Sequence, residues 1–136
     1  MTNPDYPKPI EDTDNRAFLE AWRSGTFNLQ HCRGCGQASF YPRPFCPHCW
    51  SVDLEWRQSS GAGEIVSFSK IHRPNHPSFN DEVPIVLAEV RLAERATLLA
   101  RIIGDHEKVR PRASVELITD GWRERGLPLP AFRLKV

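Results

Sequence analysis

Apolar residues change their spacing along this chain. In DTDNRAFLEAWRSG, Phe18, Leu19 and Trp22 fall at i, i+1 and i+4, the stripe of an amphipathic helix. Thr13 or Asp14 is placed to cap its N-terminus and Gly25 to end it. The spacing predicts about three turns, too short to be stable alone in water, so this helix must pack on something, in this chain or in another. TFNLQHC then alternates as a strand does, and Leu54 and Trp56 alternate with polar neighbours in a second strand. Residues 1–11 carry three prolines and little periodicity. They read as an extended arm, suited to docking on a partner.

From Gly63 onward the pattern is all β. EIVSFSKIH alternates Ile65, Ser67, Ser69 and Ile71 against Val66, Phe68 and Lys70. PIVLAEVRL, ATLLARIIG, ASVELITD and AFRLKV follow, separated by polar, Pro or Gly punctuation. Ala93-Glu94-Arg95 is a tight hairpin connection, and DHEKVRPR has room for one helical turn. Five short strands in about 75 residues predict a small barrel, for which the OB-fold is the commonest five-stranded solution.

Charge adds one exclusion. Lys and Arg number 18 against 17 Asp and Glu, a net charge of +1. A protein that holds nucleic acid by bulk electrostatics normally shows a strong basic excess. The polar, proline-rich opening does not resemble a signal peptide, and no run approaches the roughly 18 apolar residues of a membrane span. The expected compartment is the cytoplasm, where paired cysteines more often bind metal than form disulfides.

All four cysteines stand in CRGCGQASFYPRPFCPHCW, as two C-x-x-C knuckles. Each knuckle sets two sulfurs on one side of a tight turn, with Gly34 and Gly36 letting backbone N–H groups face them. Two facing knuckles make a tetrahedron of thiolates from Cys32, Cys35, Cys46 and Cys49, suited to zinc before iron. Disulfides or a redox thiol pair are the alternatives. Four thiolates leave no open position, so the metal is expected to be structural, its binding energy serving to fold a module too small to fold alone. His31 and His48 flank the ligands and read as surface residues or residues just behind them. Phe40, Tyr41 and Phe45, between the knuckles, are expected to cover the barrel or a partner. The divisions expected are arm and helix over 1–30, zinc ribbon over 31–60 and OB-fold over 61–136.

Other groups have two readings. His72, Arg73, His76 and Asp81 in HRPNHPSFNDEVP form a catalytic or metal cluster, or a polar loop stiffened by Pro74, Pro77 and Pro84. Ser60-Gly61-Ala62-Gly63 is a hinge before the barrel, or a phosphate cradle on the weak signal of one G-x-G. Arg95, Arg101, Lys108, Arg110 and Arg112 make a phosphate patch, or solvated charges interleaved with Glu94, Asp105 and Glu107. No Ser/His/Asp or Cys/His nucleophile stands out, since the cysteines belong to the metal.

The order of helix, four-cysteine ribbon and barrel resembles the rubredoxin-like zinc-ribbon plus OB-fold proteins, a family long catalogued as a domain of unknown function and associated with acyl-CoA enzymes. The resemblance spans roughly Asp14 to Phe132. It is carried by Phe18, Trp22 and Gly25, LQHCRGCG, YPRPFCPHC, LEW and SGAGEIVSFS. It implies an accessory subunit of a hetero-oligomer, paired with a thiolase-type enzyme, aldolase, acyltransferase or hydratase. It further implies that the barrel helps frame the CoA thioester and that ribbon and helix dock the partner. HRPNHPSFNDEVP, with its two histidines, is a departure that bears on the acyl group and partner.

The expectation is therefore a zinc-stabilised, non-catalytic subunit of an acyl-CoA C–C bond-forming or bond-cleaving complex. Arg73, Arg101, Lys108, Arg110 and Arg112 are its candidates for contact with CoA phosphates. The rival is a single-strand nucleic-acid module, for which Phe68, Phe79 and Phe132 are the available stacking residues. A stand-alone enzyme using His72 or His76 is the third reading.

Overall fold

The helical stripe forms α1 (Arg16–Arg23) and buries Phe18, Leu19 and Trp22. The computed structural model describes residues 6–119 and 127–135; the first five residues of the predicted arm, and Val136 at the end of the last predicted strand, lie outside them. At eight residues α1 is shorter than expected, and neither Thr13 nor Asp14 caps it. The cap position is Asn15, whose amide is spent elsewhere: it donates to the Ile10 carbonyl and to the Tyr41 hydroxyl, each at 2.9 Å. Asp12 serves the entry turn instead, accepting from the N–H groups of Asp14 and Asn15. The exit is as expected: Gly25 has φ +93°. The Gly25 and Thr26 N–H groups return to the carbonyls of Trp22 and Ala21, the pair of bonds a left-handed glycine permits.

β1 (Asn28–Cys32) is the central strand of a three-stranded antiparallel sheet, with β2 (Ala38–Ser39) on one side and β3 (Leu54–Gln58) on the other. The alternating runs that follow give β4 (Ala62–Ile71), β5 (Ile85–Leu92), β6 (Thr97–Ile102), β7 (Ser114–Leu117) and β8 (Phe132–Leu134). They close as a barrel in the order β4-β5-β6-β8-β7. The β5–β6 connection is the predicted Ala93–Arg95 hairpin, with Arg95 at φ +73°. His106–Lys108 supplies the single helical turn, of 3-10 type, before β7. A second 3-10 turn, Pro77–Glu82, occupies the HRPNHPSFNDEVP loop.

The alternation expected in β4 breaks once. Its pairing with β5 shifts between Ile65 and Ser67, a bulge. Ile65 faces the core and so does Phe68, three residues on, whereas strict alternation would put them on opposite faces.

The helix has its partner within the chain. Phe18, Trp22, Phe27 and Leu29 share one continuous core with Ile65, Val86, Val90, Ile102, Val115 and Phe132 of the barrel. Phe27 meets Phe18 and Phe132 edge-on, and Trp22 Nε1 donates to the Leu127 carbonyl at 3.1 Å. Phe40 packs against Phe18 and Phe27, and Tyr41 against Phe18. Two of the three ribbon aromatics thus cover the helix–barrel junction. Phe45 instead stacks on Trp50. No helix among the described residues is long and apolar enough to cross a membrane.

Candidate functional site

Cys32 ends β1 and Cys35 follows on the turn that leads to β2. Gly36, at φ +77°, turns its N–H back to the Cys32 carbonyl at 2.8 Å. The second knuckle repeats this around Cys46: the Trp50 N–H reaches the Cys46 carbonyl at 2.9 Å, with Trp50 at φ +68°. A tryptophan in a glycine conformation was not legible in the sequence. Its ring lies 5.3 Å from Phe45 in a parallel stack and stays 76% exposed.

The sulfurs face one another. Cys32 and Cys49 Sγ are 3.5 Å apart, Cys35 and Cys46 Sγ are 3.7 Å apart, and all four lie within 4.8 Å. A tetrahedron with metal–sulfur bonds of about 2.3 Å has edges of about 3.8 Å, so the set fits a zinc ion. Backbone N–H groups of Cys35 and His48 point at Cys32 and Cys46 Sγ. The Cys35 N–H is the main reason the Cys32 thiol is lowered to about 6. The Ser51 N–H favours the Cys49 thiolate, but thiol hydrogen bonding to Cys32 and desolvation prevail and push Cys49 up to about 12. Such thiols do not ionise together unaided, and a bound cation supplies the compensation. Four sulfurs then close the coordination shell and leave no position for a substrate. Neither His31 nor His48 is in the cluster. Burial, then Arg57, holds His31 below the ordinary histidine value, as a neutral ring beside the ligand strand.

A second feature is a groove of about 410 Å³ against the outer face of the barrel. Tyr6, Phe79, Leu87, Leu99 and Leu129 line it, as do Arg73, His76 and Arg101. Of the five predicted phosphate contacts, the groove gathers Arg73 and Arg101. Lys108, Arg110 and Arg112 lie exposed on the β6–β7 connection. Arg101 pairs with Glu82 at 2.9 Å. His72 is exposed, and His76 Nδ1 is 2.7 Å from the Ser78 hydroxyl and accepts from the Ser78 N–H, capping the 3-10 turn. Gly61 (φ +77°) and Gly63 serve barrel closure: a Cβ on Gly63 would stand 2.8 Å from the Arg91 carbonyl oxygen. The three stacking residues named for a single-strand binder are occupied. Phe132 is buried, Phe68 packs on the core, and Tyr6 covers Phe79.

This arrangement has known counterparts. Residues 19–55 match the family described as the ChsH2 rubredoxin-like zinc ribbon domain, and residues 56–119 match the ChsH2 C-terminal OB-fold domain. A DUF35 domain-containing scaffold protein of Methanothermobacter thermautotrophicus is 35% identical over 114 residues, 79% of this chain and 85% of that one. The chain belongs to the DUF35 family. A probable enoyl-CoA hydratase alpha subunit of Thermomonospora curvata is 34% identical over 130 residues, 93% of this chain. This DUF35 chain spans only 39% of that relative's length. Among solved structures, a chain of the Ltp2-ChsH2(DUF35) aldolase matches with a TM-score of 0.78 and 32% identity, over 95% of this chain and 100% of that one.

Proposed function

We propose that the protein is a non-catalytic, zinc-stabilised accessory subunit of a thiolase-type acyl-CoA-processing complex. The observation that supports it most is the match over nearly the whole chain to the DUF35 chain of an aldolase assembled with Ltp2. The chemistry agrees. Thiolase-type carbon–carbon chemistry needs a nucleophile with an acid or base beside it, and all four cysteines here converge on one closed site. That chemistry then belongs to another polypeptide. Cys32, Cys35, Cys46 and Cys49 hold zinc, which supplies folding energy and no reaction step. Phe40 and Tyr41 transmit the ribbon's shape to the helix–barrel junction. The barrel helps frame the partner's CoA thioester site, with Arg73 and Arg101 at the groove, and Lys108, Arg110 and Arg112 beyond it, as candidates for phosphate contact.

Co-expression with a thiolase-like protein encoded nearby tests this. The two proteins are expected to co-purify as a stable hetero-oligomer, with the partner losing activity or stability when expressed alone. Separate migration with a partner fully active alone would overturn it.

A further inference from the structure

Leu99 is 70% exposed in the middle of β6, opposite Glu89 on β5. Nothing in the core accounts for a leucine there. It stands in the groove wall, with Leu87 on β5, Phe79 on the 3-10 turn and Leu129 before β8. A volume of about 410 Å³ falls in the range of small-molecule sites.

The same walls carry an excess of positive charge. Glu82 is paired with Arg101, whose Nε is buried and has no hydrogen-bond partner among the described residues. Arg73, also lining the groove, forms no ion pair among the described residues. One carboxylate against two guanidinium groups leaves one charge and one buried donor unanswered. An anionic group with lone pairs in the plane of a guanidinium answers both.

One wall of the groove is itself an aromatic group laid over Phe79. The Tyr6 ring stacks on Phe79 at 5.1 Å and 17°, and its hydroxyl donates to Glu82, 2.7 and 2.8 Å from the two carboxylate oxygens. Pro7 lies beside it. Both belong to the stretch ahead of α1, which has no regular structure between residues 6 and 12. One stack and one hydroxyl hold the Tyr6 ring, while the rest of the stretch is tied to α1 by the Asn15 amide on the Ile10 carbonyl and by Glu11 on Arg16 and Arg23.

We propose that this groove is a binding site for an amphiphilic anion, a compact apolar chain or ring bearing one negative group, and that Tyr6 is its resident competitor. The apolar part lies against Leu87, Leu99 and Leu129, and the anion meets Arg73 and Arg101. The ligand reaches full contact with Phe79 when Tyr6 lifts, so its apparent affinity is reduced by the fraction of molecules in which the arm is seated. The inference rests on the groove and does not require the partner complex, so failure to co-purify a partner leaves it standing.

The test titrates full-length, zinc-loaded protein with 8-anilinonaphthalene-1-sulfonate, followed by fluorescence. Saturable binding is expected, tighter by about tenfold in Tyr6→Ala as the seated fraction is removed. Leu99→Glu is expected to weaken it at least as much, with the thermal transition lowered only slightly, because the side chain is exposed and the new carboxylate faces Glu89 across the ladder. The uncharged analogue N-phenyl-1-naphthylamine is expected to bind several-fold more weakly than the sulfonate. An unchanged constant in Tyr6→Ala overturns the competitor, unchanged binding in Leu99→Glu overturns the site, and equal binding of the neutral analogue overturns the anion.

Discussion

Gln30 and Arg43 exchange two hydrogen bonds: the Gln30 side-chain amide donates to the Arg43 carbonyl and accepts from the Arg43 N–H, each at 2.9 Å. A side chain here does the work of a neighbouring strand. Gln30 is buried on β1, the strand that ends in Cys32. Arg43 lies on the segment between the knuckles that carries Phe40 and Tyr41. The pair therefore sets where those aromatics meet α1.

Replacing Gln30 with Leu keeps the volume and removes both bonds, leaving a backbone N–H and C=O without partners. A loss of about 2 kcal/mol is expected. Denaturant unfolding reads it as a lower midpoint with an unchanged slope. A change within about 0.5 kcal/mol, the usual range for surface substitutions, would show that water replaces the glutamine.

Metal removal should reach beyond the ribbon, because Phe40 contacts Phe18 and Phe27. Chelation, or Cys46→Ser, is expected to remove one bound zinc per chain and to flatten the near-ultraviolet circular dichroism of the aromatic cluster. Partner assembly should fail before any catalytic step is affected. Adding zinc back at neutral pH should restore that signal and release close to four protons, because the thiols of a ribbon without its metal-held fold are mostly protonated there. Full near-ultraviolet signal in zinc-free protein would separate ribbon from core.

Tyr6 and Tyr41 are the only tyrosines, so the Tyr6 contact can be titrated directly. Desolvation, then the hydrogen bond to Glu82, raises the Tyr6 hydroxyl above its ordinary value. The raised value means the contact stabilises the fold fully below the unfolded pKa near 10 and is lost as pH climbs through the folded one. Subtracting the alkaline difference spectrum of Tyr6→Phe from that of wild type isolates this group. A midpoint above 10 is expected, and one at or below it would mean Tyr6 is not seated on Glu82.

The sequence was most legible where a period or a spacing repeats. Alternation located the five barrel strands, and the C-x-x-C pairs located the sulfur cluster. β2 escaped because Ala38 and Ser39 are both buried and two residues have no period. The β4 bulge escaped because Val66 and Ser67 read equally well as ordinary strand. Trp50 escaped because nothing beyond its place after Cys49, matching Gly36 after Cys35, marks a left-handed residue. The groove is the plainest case: Tyr6, Phe79, Leu99 and Leu129 come from four distant stretches and meet only when the barrel closes.

Glu94, predicted to be a turn residue with its charge in solvent, ties the barrel to the ribbon. Its two carboxylate oxygens accept from the Ser59 hydroxyl at 2.8 Å and the Ser60 N–H at 3.0 Å, just after β3 ends. Desolvation works against the carboxylate, yet the Ser60 and Ser59 hydrogen bonds prevail and hold its pKa below the ordinary glutamate value. A lowered value means the contribution is present above the unfolded pKa of about 4.3 and fades as pH falls through the folded one. Glu94→Gln keeps one acceptor and should lose less stability than Glu94→Ala, for which about 1–2 kcal/mol is expected at pH 7. The gap between wild type and Glu94→Ala should close as the pH is taken below 4. A gap that persists unchanged at acid pH would mean the alanine acts through packing, and Glu94 would not be the carboxylate that fastens the junction.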